Sequence, residues 1–418
     1  MIVFNKNISK IIFTVTLSLL NSYALKAMNS EGTEERPVHY FTAPQLEDTN
    51  RGEEVYCVRP VFSGSLDMSS EVIGGKHVIS TSGFGGSGIT LSEGAVEYQI
   101  QKFITEVLPT LKRGRETPIT VLGAGWVGSL TALHLQKEGF KNLHIIAESL
   151  ERITSFNAGG LIAPVSMQNS PEFQVLVDQF GVNAYKGYRD ALAGRHPFIN
   201  ADNGQSVMPV PYYTGDRENS GLEPYVTAGV MRPAKDIKLQ ILDTEVSHDL
   251  VCYEDGIFVN TPSVLQQFYG QLFRKFQIPL TQRLITEFSE IEDSVIFNCA
   301  GIRAADMKER RQMRDSYRPT LGHLIMGKDQ EPTKELSVKN SMILTYGEET
   351  KTPDGLNCTD SFYSFPKHYG PYDVVFGGTF IEGVAVDHTG KLDPKYKYPE
   401  KLDLIWDSTR KFFGASRM

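Results

Sequence analysis

Between Ile119 and Glu148 the chain reads ITVLGAGWVGSLTALHLQKEGFKNLHIIAE, and this stretch limits the possible folds more than any other. Ile119–Leu122 is an apolar run of strand length, Thr131–Glu138 carries a helical pattern and Leu143–Ala147 is a second strand. Strand, glycine turn, helix and strand in that order open a parallel α/β sheet. Within Gly123-Ala124-Gly125-Trp126-Val127-Gly128 the first glycine permits a tight turn and the second lets the backbone approach a pyrophosphate. The third lets the helix close on the strand, and the helix N-terminus favours the negative charge. Glu148 lies 20 residues past Gly128 at the end of the second strand, where a carboxylate can hold ribose hydroxyls. The expectation is a dinucleotide site, with NAD and FAD not separated by the local pattern.

At 418 residues the chain is long enough for two to three domains. Net charge is −8 with no basic tract, which argues against nucleic acid as a partner. The four cysteines (Cys57, Cys252, Cys299, Cys358) lack CxxC spacing and the nine histidines lack an HExxH, so neither a disulfide scaffold nor a metal site is expected. Lys6 and Lys10 precede the apolar run Ile11–Leu20, and Ser22-Tyr23-Ala24 offers a cleavage site. Residues 1–24 are therefore expected to be a secretory signal, too short to span a bilayer, giving a secreted or periplasmic protein. The terminal Ser416-Arg417-Met418 only loosely resembles a peroxisomal tripeptide, so a peroxisomal or cytoplasmic location is the lesser expectation.

Asn29–Glu54 is polar and acidic and reads as a loose arm. Val55–Phe62 looks like a strand, and Pro60 within it points to a sheet edge. A glycine- and serine-rich segment, Ser80–Thr90, leads into a helical pattern at Ser92–Leu111 and the hydrophilic linker Lys112–Thr117. Further helices are expected at Phe173–Leu192, Ser263–Gln277 and Lys401–Phe413, strands at Ile257–Phe258 and Val295–Asn298, and antiparallel strands over Met342–Ile381.

Five segments give the dinucleotide a family context. Ile153–Pro164 reads ITSFNAGGLIAP, Ile296–Arg303 reads IFNCAGIR and Arg318–Met326 reads RPTLGHLIM; Tyr363-Ser-Phe-Pro366 then precedes Phe376-Gly-Gly-Thr-Phe380. In that order they resemble the D-amino-acid oxidase family of FAD flavoproteins, over residues 118–418. That family closes with an Arg-Pro strand, a glycine-rich flavin loop and a helix. Here Val58-Arg59-Pro60-Val61, His77–Thr90 (HVISTSGFGGSGIT) and Glu93–Leu111 resemble those three, but they stand ahead of the dinucleotide motif. The resemblance therefore implies a circular permutant joined through Lys112–Thr117, the order that an open α/β domain with neighbouring ends allows.

By the same resemblance Arg59 would clamp a substrate carboxylate through a two-pronged guanidinium contact, and Tyr363 would contact the substrate. Thr359 stands where some members carry a second substrate tyrosine. The backbone at Gly83, Gly85, Gly86 and Gly88 and the hydroxyl of Thr90 would face the flavin. Ser155, Asn157, Gly159, Gly160 and Leu161 would line the cofactor, and Ile285 would touch its adenosine through the backbone. Cys299 is expected to be a packing residue, and His323 has no assigned role.

The implied fold is α/β: an FAD-binding Rossmann-like domain (55–165 and 255–305) interleaved with a mixed or antiparallel-sheet substrate domain (166–254 and 306–400), a polar arm at 25–54 and a C-terminal helix at 401–418. The implied activity is FAD-dependent oxidative deamination of an amino acid of the D series, with oxygen or another electron acceptor as partner. A glycine or sarcosine oxidase, a quinone-linked dehydrogenase and a catalytically silent flavin-binding protein are the alternatives.

Overall fold

The computed structural model describes residues 36–415 except Ser65, Arg152, Ser166, Gln168, Asp216, 330–334, Glu348 and 388–390. The expected leader and the terminal tripeptide lie outside the described residues. The chain divides into two units, Met1–Val38 and His39–Met418, and everything below concerns the second. Among the described residues no helix is long and apolar enough to cross a membrane.

The second unit is a mixed α/β structure with several sheets. One sheet runs in the order Leu280–Gln282, Leu143–Ala147, Ile119–Leu122, Val295–Asn298, Lys76–Ser80, Ser70–Ile73. Its first five strands pair in parallel, and the last is an antiparallel hairpin partner. The central strands Ile119–Leu122 and Val295–Asn298 are buried along their whole length, as expected for a parallel sheet covered on both faces. Both lie where the apolar runs predicted them.

Helices cover this sheet. Trp126–Lys137 begins inside the glycine motif, earlier than its predicted start at Thr131, and almost every side is buried. Such a helix has no polar stripe to mark its first turn in the sequence. Gly88–Lys102 likewise starts before its predicted Ser92, continues as a π-turn (Phe103–Val107) and ends in a 3₁₀ turn (Leu108–Thr110). Pro171–Leu192 is capped by Ser170, whose hydroxyl accepts from the Phe173 amide at 3.3 Å, with Pro171 in the first turn.

The large sheet is mainly antiparallel and runs through Lys235–Ile241, Ser247–Tyr253, Tyr212–Thr214, Met342–Thr345, Asn357–Tyr369, Tyr372–Glu382, Tyr317–Gly327 and Arg51–Phe62. Arg51–Phe62 ends this path, so Pro60 sits on an edge strand as its missing N–H requires. Although grouped in sequence with the glycine-rich segments, this strand pairs with Tyr317–Gly327 in the large sheet. The helix Glu400–Phe413 buries Leu402, Ile405, Trp406, Thr409 and Phe412 at helical spacing, and Trp406 meets Phe376 of the sheet edge-on.

The expectation of a loose arm over 25–54 is corrected for its described C-terminal part. Phe41 is fully buried and stacks on Phe413, and Asp48 accepts from Trp406 Nε1 (3.1 Å) and Arg410 (2.6 Å). Polar composition concealed two apolar anchors, Phe41 and Leu46, that the C-terminal helix covers.

A buried polar node fastens the glycine-rich loop to the strand ends. Arg310 is fully buried and grips Asp67 through both terminal nitrogens (2.8 and 3.1 Å), with Ser80 and Ser69 as further acceptors. The Tyr317 hydroxyl donates to the same carboxylate at 2.6 Å and is also hydrogen-bonded to Ser82. Burial opposes the Asp67 carboxylate, but these partners outweigh it and hold its carboxyl below the usual range. Arg310→Met leaves a buried carboxylate uncompensated and is expected to cost about 3–5 kcal/mol in denaturant titration. The double variant Arg310→Met/Asp67→Leu is expected to cost less than the single one.

Candidate functional site

Parallel strands put their carboxyl ends on one edge, and here that edge opens on a cavity of about 850 Å³. Its wall includes Gly123, Ala124, Gly125 and Val127 after Ile119–Leu122, and Glu148 after Leu143–Ala147. Gly83, Gly85, Gly86 and Gly88 follow Lys76–Ser80, and Cys299–Arg303 follows Val295–Asn298. Ser155, Asn157, Gly159, Gly160, Leu161 and Ile285 also line it, as do Arg59 and Tyr363 from the large sheet.

Two predicted residues do not line this cavity. Gly128 packs behind it: a Cβ there would lie 2.0 Å from the Gly123 carbonyl oxygen, so only glycine lets the helix close on the turn. Thr90 is corrected. It lies inside the helix Gly88–Lys102, fully buried, and its hydroxyl donates to the carbonyls of Ala163 (2.9 Å) and Leu161 (3.3 Å). It ties the helix to the 161–163 segment and presents no hydroxyl to the cavity.

At one end the wall fits a dinucleotide. Gly123 has φ +103°, and a Cβ would sit 2.5 Å from the Cys299 carbonyl, so the turn accepts no side chain. The helix Trp126–Lys137 starts there, with the Trp126 amide donating to Ser155 Oγ at 3.0 Å. Glu148 follows the second strand with its side chain 45% exposed, so a carboxylate oxygen remains reachable. Sequence reasoning missed its partner Arg303, which donates to Glu148 at 2.9 Å and to the Ile285 carbonyl at 3.1 Å. A hydrogen-bonded acid at a strand end, a glycine cradle and a helix N-terminus form the donor and acceptor set that a ribose and pyrophosphate require.

At the other end Arg59 stands among apolar and aromatic side chains. Its guanidinium lies 4.5 Å from the centre of the Phe380 ring and donates to the Thr379 carbonyl at 3.4 Å. A Cβ at Gly322 would fall 2.5 Å from Arg59 Nη2, so that glycine leaves the slot the guanidinium fills. Tyr363 is buried, stacks on Phe365 with ring centres 4.7 Å apart and lies flat over its cross-strand partner Gly377. Burial pushes its hydroxyl up to about 12, with the Arg59 charge and hydrogen bond acting the other way. Among the described lining residues the carboxylates are Glu148 and Glu151. Glu148 belongs to the Arg303 end, so the Arg59 guanidinium meets aromatic rings and a carbonyl.

His323, a residue with no role expected from its surroundings in the chain, is fully buried at an irregularity in the strand register. Its Nε2–H donates to the Lys397 carbonyl at 2.5 Å, and its Nδ1 accepts from the Thr379 hydroxyl at 2.6 Å. It thereby braces the residue whose carbonyl receives Arg59. Cys299 is buried and its thiol is pushed up to about 12 by burial, which suits packing. Phe365 and Lys367 escaped the sequence reading although they alternate with Tyr363 along one strand, a period that puts all three on one face.

Away from the cavity, Glu93, Glu97 and His134 bring possible ligand atoms within 4.8 Å of one another. The neighbouring His196 accepts at Nδ1 from the amides of Phe198 and Ile199 (3.1 and 2.9 Å), so its Nε2 carries the proton and faces Glu93 at 3.4 Å. That orientation makes the group a hydrogen-bond node.

The sequence matches no protein-family model and no curated protein. Among solved structures, the chain is similar to glycine oxidase from Bacillus cereus with TM-score 0.43 and 14% identity, over 71% of this chain and 79% of that one. It is also similar to the fructosyl amine:oxygen oxidoreductase amadoriase I from Aspergillus fumigatus, with TM-score 0.41, 10% identity and 63% of each chain covered. A shorter match joins it to the L-amino acid deaminase from Proteus vulgaris, with TM-score 0.25 and 16% identity, over 40% of this chain and 39% of that one.

The Glu93 node makes a pH prediction. Burial raises the Glu93 carboxyl, but hydrogen bonds from His134 and His196 outweigh it and hold it at about 2. A depressed carboxyl stabilises the fold fully above its unfolded value, near 4.5, and loses that contribution as pH falls toward 2. Glu93→Gln does not titrate, so between pH 5 and pH 3 its unfolding free energy is expected to drop less than the wild type's. The difference should be on the order of 2 kcal/mol in urea titration.

Proposed function

We propose that this protein is an FAD-dependent oxidoreductase that oxidatively deaminates an amino acid of the D series to a 2-oxo acid and ammonia. The supporting observation is that Arg59 and Tyr363 line the same cavity as the glycine turn and Glu148. A carboxylate clamp thus shares its space with a dinucleotide cradle. The cavity lies toward the upper end of the range for ligand sites, about 300–1,000 Å³.

FAD, when bound, supplies the two-electron acceptor for the α-hydrogen, which is the cofactor's own chemistry. The protein's part is orientation. Arg59 holds the substrate carboxylate through two charge-assisted hydrogen bonds, with Gly322, Phe380 and the Thr379 carbonyl fixing its plane. Tyr363 and Phe365 form an apolar wall that keeps water from the reacting carbon. The substrate amine enters uncharged, having left its proton in solution, so no carboxylate base is required. Water then converts the product imine to the 2-oxo acid and ammonia, and oxygen or another acceptor takes the electrons onward.

Circular permutation of the family order is part of the same proposal. Lys76–Ser80 pairs in parallel with Val295–Asn298, and the glycines that follow it reach the cavity. A strand and flavin loop written before the dinucleotide motif can thus occupy the place of the family's closing segments. The leader-like N-terminus makes export the accompanying proposal.

The test is the visible spectrum of the purified protein under anaerobic conditions as D- and then L-amino acids are added. Flavin bands that bleach with the D series alone are the expected result. Bands that persist with every amino acid would remove the activity and keep the cofactor; a colourless protein that takes up no FAD would remove both. Arg59→Leu is expected to keep the bands while losing bleaching at least 100-fold in kcat/KM, and Arg59→Lys to recover only part of it.

A further inference from the structure

Lys367 is 1% exposed, and among the described residues its Nζ has no carboxylate partner. Nζ donates to the Phe156 carbonyl (2.8 Å), the Ala158 carbonyl (2.9 Å) and the Thr261 hydroxyl (3.3 Å). Phe156 and Ala158 stand at the C-terminal end of the short helix Thr154–Asn157, where carbonyls run out of intrahelical donors. A basic side chain is a suitable cap there. Thr261 opens the helix Thr261–Tyr269, and its hydroxyl lies 3.2 Å from the same Ala158 carbonyl. Three segments far apart in sequence thus meet at one buried charge.

The charge stands behind the cavity wall. Asn157, Gly159, Gly160 and Leu161 line the cavity, whereas Lys367 does not. Carbonyl and N–H point to opposite sides of a planar trans peptide. An Ala158 carbonyl turned to Lys367 therefore directs the Gly159 N–H away from Lys367, on the side where Gly159 lines the cavity. The segment also leads from the phosphate end to the substrate end. Ser155 receives the Trp126 amide; Asn157 hydrogen-bonds Cys57, two residues before Arg59; Gly159 lies against the Phe365 ring.

We infer that Lys367 is a positioning residue for the cofactor, holding residues 156–159 in the conformation that receives the flavin half of the dinucleotide. This rests on the FAD reading above. Keeping an ammonium in that place is costly: burial brings Lys367 down to about 7, with the Cys57 thiol opposing weakly. A buried amine that donates to two backbone carbonyls is suited to fixing a loop, whether or not it carries its full charge.

The test compares two ligands on the full chain, FAD by flavin-fluorescence titration and ADP by calorimetry. ADP lacks the flavin half, so on the FAD reading its binding tests the Gly123–Gly128 and Glu148 end. Lys367→Met is expected to weaken FAD at least 30-fold while changing ADP less than 3-fold. Thr261→Val, which removes one acceptor and keeps the shape, is expected to weaken FAD about 3- to 10-fold with ADP unchanged, and it carries the test should Lys367→Met not fold. Equal losses for FAD and ADP, or unchanged FAD affinity in both variants, would overturn the inference. A wild-type chain that binds ADP but no FAD would instead overturn the cofactor reading.

Discussion

The parallel pairing of Lys76–Ser80, Ile119–Leu122, Leu143–Ala147 and Val295–Asn298 is the constraint on which the rest of the site depends. Parallel strands expose their carboxyl ends along one edge, so the four segments that follow them meet there whatever their distance in the chain. Ile119–Leu122 and Val295–Asn298 are neighbours, and their successors, the Gly123 turn and the Cys299–Arg303 segment, come together where the chain order reverses. The Cys299 backbone can pack against the turn only because Gly123 carries no Cβ. Tertiary pairing and local glycine chemistry therefore specify the same opening.

The large sheet contributes the opposite wall. Arg59 and Cys57 are two residues apart on an edge strand and share a face; Tyr363 and Phe365 do the same on theirs. Glycines at Gly322 and Gly377 provide the room: one leaves space for a guanidinium and the other for a phenol ring. His323 and Thr379 exchange side-chain and backbone hydrogen bonds where the ladder is irregular, so the carbonyl that meets Arg59 is held without regular pairing. Among the described lining residues this cation meets aromatic rings and the Thr379 carbonyl, apart from the Glu148 end, which is the setting the proposed carboxylate clamp needs.

How much of this was legible in the sequence depended on how local the cause was. Ile119–Leu122, Leu143–Ala147 and Val295–Asn298 were readable to the residue because apolar composition and flanking turns define them. The glycine motif was readable because its chemistry fits into six positions. Helix starts were read late at Trp126 and Gly88 because burial on all sides erases amphipathic contrast. The segment before Arg51 looked loose because its partners, Trp406 and Arg410, lie 358 and 362 residues away from Asp48. Lys367 was illegible for a related reason: its carbonyl acceptors are 211 and 209 residues away and belong to the backbone, which leaves no trace in residue types. Thr90 was misassigned because a glycine-rich spelling does not reveal that the helix has already begun.

The central claim is that the cavity at the strand ends seats FAD. The most direct measurement is the identity and stoichiometry of the dinucleotide released on heat denaturation of the purified full chain, with absorbance of the intact protein as the reference. One flavin per chain, released as FAD and displaced from the native protein by excess ADP, is the expected result. A nicotinamide dinucleotide in its place, or a chain that neither carries nor takes up a flavin, would contradict the account.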